Sequence, residues 1–275
     1  MAAAPRNRMR RIAALFAAFA LCGCNTGVGA GAGEGGGGAD TADATPVSDS
    51  DAKTRTAHRP ALALFTSLPI FWAEGDIDAL LDGKTRDHWA KAVIAREYAL
   101  QPVDRLTQLG NPANGGVQRL FMAQPRALAG DENVALDSWV RGGGRLVLLA
   151  DPMLEAHSEY GLGDRRRPEA MAMLSPILAR WGLELAYDEA QGEGWRMAPT
   201  PMPLPISQAG HFRLTGKGHD SHCETQAGGL IARCRIGDGT VLAIADAALL
   251  QDGDTPVESA KTALRAMLKT LEAPL

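Results

Sequence analysis

The sequence predicts an α/β fold, a mostly parallel sheet with helices on both faces and a C-terminal hairpin. Three observations predict it. Short apolar runs bounded by Pro or Gly (ALALFTSLP at 61–69, VQRLFMAQP at 117–125, RLVLLADP at 145–152) have the length of buried strands, and the last is apolar enough to be covered on both faces. Segments of helical spacing alternate with them, as crossovers between parallel strands require. GLIARCRI and TVLAIADAAL flank Gly237-Asp238-Gly239, a hairpin signal.

Taken in order, the chain opens on a basic stretch (Arg6, Arg8, Arg10, Arg11) followed by the apolar run IAALFAAFAL from Ile12 to Leu21. That run suits the core of a signal peptide and is too short to cross a bilayer as a helix. Met9 offers a second start, giving MRRIAALFAAFALCGC. The run ends in LCGC (21–24), which resembles a bacterial lipobox, with Cys22 where Ala or Ser is commoner. The resemblance implies that residues 1–24 are a signal peptide and that Cys24 is lipidated, becoming the mature N-terminus; the other reading is a soluble secreted protein cut elsewhere. Several acyl chains would anchor the protein stably where one would not. Asn25 stands where the enteric inner-membrane retention signal has Asp, which points to the outer membrane. The mature chain then faces the oxidising periplasm, where the remaining pair, Cys223 and Cys234, reads as a disulfide.

Residues 25–58 are mostly Gly, Ala, Ser, Thr and Asp with no large apolar residue, so they read as a disordered tether. Residues 59–275 read as one α/β domain. After the strand at 61–69, HWAKAVIAREYAL places Trp89, Val93 and Ile94 on one helical face. Beyond the strand at 117–125, Asp131 is placed to cap a helix with Val134, Leu136, Trp139 and Val140 on its apolar side and Gly142 to Gly144 ending it. Pro168 opens a further helix carrying Met171, Leu174, Leu178 and Trp181, with a kink or restart at Pro176 and Gly182 as C-cap. LELAYD (183–188) reads as a strand, 191–222 as a long functional or poorly ordered excursion, and VESAKTALRAMLKTL as the closing helix.

The glycine triplet at 142–144 follows a helix and precedes a strand, the reverse of a phosphate loop, and no GK[ST] accompanies it. Attention moves to the carboxyl ends of the strands, where open α/β sheets bind ligands. Thr66, Ser67, Gln124, Asp151 and Asp246 lie there as a candidate crevice. Each Asp can equally cap a turn through its carboxylate. Ser67 is the one hydroxyl placed like a nucleophile, but no GxSxG surrounds it, so no catalytic residue is assigned. His157, His211, His219 and His222 cannot be placed from sequence. His219, His222, Cys223 and Cys234 are zinc-ligand types in an unfamiliar spacing, and neither a metal nor another cofactor is expected. Arg165, Arg166 and Arg167 form a basic run, read as a solvated loop or as a contact for an acidic partner or lipid headgroup. The net charge of −4 argues against a nucleic-acid partner.

LFMAQPRALAGDENVALDSWVRGGGRLVLLADPM (120–153) resembles the extracytoplasmic domain of the GldG family, auxiliary proteins of gliding-motility and uncharacterised ABC-type transport systems. Leu136, Asp137, Trp139, Gly142, Gly143, Asp151 and Pro152 carry the resemblance. The ending RCRIGDGTVLAIADAALL (233–250) is similar to that family and to ThuA-like proteins. The resemblance implies a flavodoxin-like sheet of the class I glutamine amidotransferase type, without its catalytic Cys. It departs from the family in lacking transmembrane helices. The expected function is a non-enzymatic envelope lipoprotein, held at the membrane by its lipid, whose domain binds a small ligand or an envelope partner such as ABC-transport components. The alternative is a divergent hydrolase using Ser67 or an Asp-activated water.

Overall fold

The computed structural model describes residues 59–72, 87–251, 253 and 255–272. The signal peptide expected at 1–24, with the lipidation expected at Cys24, and the tether expected at 25–58 lie outside the described residues. Seven strands form the central sheet: β1 (Ala61–Thr66), β2 (Ala99–Pro102), β3 (Arg119–Ala123), β4 (Arg145–Leu149), β9 (Ser221–Gln226), β10 (Ile231–Ile236) and β11 (Gly239–Ile244). Their order is β2-β1-β3-β4-β11-β10-β9. β2, β1, β3, β4 and β11 pair in parallel, and β10 runs antiparallel to both its neighbours. The expected fold class is the one observed: the first five strands have the flavodoxin-like order, with its switch point between β1 and β3.

Burial on both faces explains these sequences. In β1, Leu62 and Leu64 enter one core cluster while Ala63 and Phe65 enter the other. β3 and β4 divide in the same way, Phe121, Val147 and Leu149 on one side and Leu120, Met122, Leu146 and Leu148 on the other. A strand sandwiched between two apolar layers has no face for a polar side chain, hence the continuous runs. The first layer is closed by helices α1 (Trp89–Ile94) and α4 (Val257–Lys269), the second by α2 (Gly130–Arg141) and α3 (Ser175–Trp181).

Several elements differ from the sequence reading. The helix at 89 stops after six residues, and Ala99–Pro102 forms the edge strand β2. Asp131 lies inside the first turn of α2, not at its cap; Glu132 serves the helix start, its Oε2 accepting Ala129 N–H at 3.0 Å. Val134 faces solvent, whereas Leu136, Trp139 and Val140 are buried. No helix opens at Pro168. Pro176 instead occupies the first turn of α3, where its missing N–H costs nothing, and Met171 upstream is exposed. Gly182 ends α3 at φ 83°, as a left-handed C-cap. Strand β5 (Leu183–Ala186) leaves the main sheet to pair antiparallel with β8 (His211–Leu214). The excursion read as irregular holds that strand and the ribbon of β6 (Trp195–Met197) and β7 (Pro205–Ser207), short elements whose alternation is too brief to show as a period.

Cys223 and Cys234 are directly opposite on β9 and β10 and form a disulfide, with Cα atoms 4.1 Å apart. Among the described residues no group of His, Cys, Asp and Glu is arranged to hold a metal ion, and no helix is long and apolar enough to cross a membrane.

The stretch from α2 to β4 shows why its motif is so particular. Trp139 Nε1 donates to Val117 O at 2.7 Å, laying the indole across the chain just before β4. A Cβ on Gly144 would run into that ring. Gly144→Ala should therefore lower stability by about 1–3 kcal/mol, the usual cost of overpacking. Chemical denaturation measures this directly, and Gly143→Ala is not a substitute control because Gly143 sits at φ 100°.

Candidate functional site

The strand ends gather Thr66, Ser67, Gln124, Asp151 and Asp246, as their positions in sequence suggest, but most of their polar atoms are already engaged. Gln124, fully buried and at φ 43°, uses its amide as a strand would use its backbone. Its Oε1 accepts Asp151 N–H at 2.9 Å, and its Nε2 donates to Asp151 O at 3.1 Å and Glu169 O at 2.9 Å. Thr66 Oγ1 donates to Ala123 O at 2.7 Å and accepts Leu68 N–H at 2.9 Å. Ser67 Oγ donates to Gln124 O at 2.5 Å and accepts Glu169 N–H at 3.0 Å. These bonds stitch β1, β3 and the segment after β4 together at the switch point.

The two aspartates are deeper still, both fully buried. Asp151 accepts Met153 N–H at 2.8 Å through Oδ1 and Ala247 N–H at 3.2 Å through Oδ2. Asp246 accepts Ala248 N–H at 2.8 Å and Ser207 N–H at 2.9 Å. Each carboxylate thus caps the turn that follows its own strand and also ties down a neighbouring segment. Neither lines an open crevice. Desolvation pushes Asp151 up to about 6 against the opposing pull of its two backbone N–H donors. Asp246 is raised further by burial and then by the charge of Asp151, with Ser207 and Ala248 N–H pulling the other way.

Open space lies to either side of this sealed seam. At the switch point a cleft of about 660 Å³ is lined by Thr66 and Ser67 together with Asp104, Arg105, Arg126, Glu132, Arg165 and Glu169. Its floor is the pair Arg126–Glu132, 2.7 Å apart. Glu132 is buried, and the Arg126 guanidinium holds its carboxyl at about 2, ahead of the Ala129 and Leu106 N–H bonds. Arg105 pairs with Asp131 at 3.0 Å, whereas Arg165 forms no ion pair among the described residues. A second cleft, of about 510 Å³, has Glu155, His157, Glu193, Trp195, Gln208 and Gln251 in its wall.

Sequence reasoning missed Arg126 and Glu132, although a Glu three residues after the helix start is a capping signal. It also placed no role on Asp137, whose carboxylate takes Trp181 Nε1 at 3.0 Å, Arg141 Nε at 3.0 Å and Arg180 Nε at 2.7 Å. The histidines fall apart from the strand ends. His157 lies 3.7 Å from Glu159, His222 3.5 Å from Glu224, and His211 accepts Arg213 Nε–H at 3.2 Å. Neither bond of Ser67 Oγ involves a histidine. In the basic run, Arg166 pairs with Asp164 at 2.7 Å and Arg167 donates to Tyr160 O at 2.8 Å.

No protein-family model matches the chain, and no curated protein matches it. Solved structures give distant matches. An exo-β-1,4-mannosidase from Opitutaceae bacterium strain TAV5 is 18% identical with a TM-score of 0.47 over 79% of this chain, which spans 38% of the mannosidase. The N-terminal domain of IFT52 (mmIFT52) is 11% identical with a TM-score of 0.45, covering 78% of this chain and 99% of that one. A ThuA-like protein from Bacteroides uniformis is 9% identical with a TM-score of 0.36, covering 78% and 92%. A likeness at this level says nothing of chemistry.

The buried aspartates give the domain a pH signature. Both have folded-state pKa values above the ordinary 3.8, so the stability they confer is full below pH 3.8 and is lost as pH rises, through about 6 in the case of Asp151. Glu132 works in the opposite sense, but its contribution is fully present above pH 4.5 and fades only toward pH 2. Between pH 5 and 7.5 both aspartates lower stability as pH rises. Unfolding free energy measured by urea titration should fall by on the order of 1–3 kcal/mol over that window. The double variant Asp151→Asn, Asp246→Asn should show a flatter profile, whatever its absolute stability.

Proposed function

We propose that this chain is a lipid-anchored protein of the bacterial cell envelope whose α/β domain binds a ligand or partner without catalysing a reaction, in the manner of a GldG-like auxiliary of an ABC-type transport system. One observation carries the non-catalytic part. The groups at the strand ends that a hydrolase would use are committed to backbone hydrogen bonds: Ser67 Oγ is bonded on both its donor and acceptor sides, and Asp151 and Asp246 each accept two N–H groups out of reach of solvent. A nucleophile needs a base within hydrogen-bond reach, and the Ser67 proton already points at Gln124 O.

What the carboxyl pole offers instead is a polar cleft at the switch point, where α/β sheets bind ligands. Arg165 stands on its rim as an exposed cation without an ion-pair partner among the described residues, while Asp104 and Glu169 add carboxylates. Such a rim suits a polar partner surface better than an apolar small molecule. The lipobox-like LCGC supplies the anchor and the tether supplies the reach, and the GldG-like motif suggests the transport setting.

Crosslinking of intact envelopes followed by capture of the lipidated protein should recover a specific partner. Arg165→Glu should reduce that recovery severalfold with the melting temperature unchanged. Recovery of no partner, or recovery indifferent to Arg165, would count against the cleft. Separately, Cys24→Ser should abolish labelling by a fatty-acid analogue, and undiminished labelling would show that LCGC is not a lipobox.

A further inference from the structure

The two edges of the central sheet are unlike. β2 is four residues long and ends in Pro102, which cannot donate to a further strand. β9 is six residues long, contains no proline or lysine, and keeps an unbroken one-to-one register with β10 from Ser221–Ile236 to Gln226–Ile231. Of the devices that usually blunt an edge, its sequence carries only the charge of Glu224.

Its outward backbone groups can be identified. Ala245 N–H donates to Leu230 O, so alternate residues of β11 (239, 241, 243) direct their backbone toward β10. Their partners Ile236, Cys234 and Ala232 point back, which leaves Ile231, Arg233 and Arg235 facing β9. These bond to Gln226, Glu224 and His222, and the Cα separation of 4.1 Å at Cys223–Cys234 matches the close, non-hydrogen-bonded pair expected between them. Ser221, Cys223 and Thr225 therefore turn their N–H and C=O groups away from the sheet. Below this edge lies a recess of about 200 Å³ lined by Trp181, Leu214, Gly218 and Cys223, with Leu214 half exposed.

We propose that β9 pairs antiparallel with β9 of a second copy of this chain about a two-fold axis at Cys223, joining two sheets into one. The charges select this occupant and this register. Two antiparallel edges can bond only where outward groups meet, so the axis passes through residue 222, 223 or 224, or lies further out with fewer bonds. An axis at 222 sets His222 on its own copy and Asp220 against Glu224. An axis at 224 sets Glu224 on its own copy. The axis at 223 alone puts His222 opposite Glu224 twice, with Ser221 opposite Thr225. Each Glu224 then lies between Arg233 of its own β10 and the partner's His222, on a face where both are exposed. The disulfide to Cys234 keeps Cys223 from crosslinking the copies and holds the edge strand in the sheet.

The full chain in non-ionic detergent, followed by sedimentation velocity over a dilution series, should show a reversible dimer. Glu224→Arg should weaken it about tenfold, since both cross-strand pairs between His222 and Glu224 are lost. His222→Glu should weaken it similarly. The combined variant His222→Glu, Glu224→Arg re-creates opposite charges across the axis and should return the dissociation constant to within about threefold of the starting value. Rescue by the double variant separates strand pairing from association through micelles. A chain that remains monomeric throughout, or a dimer indifferent to both single variants, would overturn the proposal, as would failure of the charge swap to restore association.

Discussion

Burial of the central strands on both faces is the constraint from which the other features follow. β3, β4 and β11 lie between two apolar layers, so hardly a polar side chain is admitted along their length. Polar groups enter only where the strands end, and there Gln124, Asp151 and Asp246 remain too deep for water to satisfy. Each must then find a partner within the protein. Gln124 does so by copying a backbone pairing, Asp151 and Asp246 by collecting N–H groups from the turns beyond their strands, and Ser67 by bridging Gln124 to Glu169. These strand-end groups close a double-sided sheet.

That closure also explains which parts of the molecule were legible. Continuous apolar runs have a single reading when a strand is covered on both faces, and β1, β3, β4 and the β10–β11 hairpin were visible for that reason. β2 was missed because ALQP is short, half-exposed and directly follows helical spacing. The supposed helix at Pro168 failed on tertiary grounds: Gln124, Ser67 and Asp151 take backbone groups at 169 and 172 that a helix would need for itself. The candidate site divided similarly. Position at a strand end placed all five residues correctly along the chain, yet periodicity carries no information on whether a carboxylate looks outward or is capped. Arg126 and Glu132 stayed hidden because a cleft between loops leaves no spacing pattern in sequence, and Arg165 showed only as part of a basic run.

Two opposite demands on the aspartates bear on their pH behaviour. Their four N–H donors favour the charged form and burial favours the neutral one; burial prevails for both, and mutual repulsion adds to it at Asp246. A pair of groups held above their ordinary range makes this seam tighter under mild acid than at neutrality. Its ties reach Ser207 at the end of β7 and Ala247 after β11, so the β6–β7 ribbon and the wall of the second cleft share in that dependence.

The opposite pole of the sheet shows why the most recognisable motif speaks of fold more than of function. Along LDSWVRGGG, Asp137 gathers Arg141, Arg180 and the Trp181 indole, while Trp139 spans to Val117 and fixes the space above Gly144. Arg141 reaches further, donating to the carbonyls of His219 and Asp220 just ahead of β9. One network at the amino ends of β4 and β11 thus orients α2, α3 and the start of the edge strand. Its residues are constrained by one another, so their spacing is distinctive without any ligand present. The clefts at the carboxyl pole are built from loops under no such mutual constraint, so no comparable spacing marks them in the sequence.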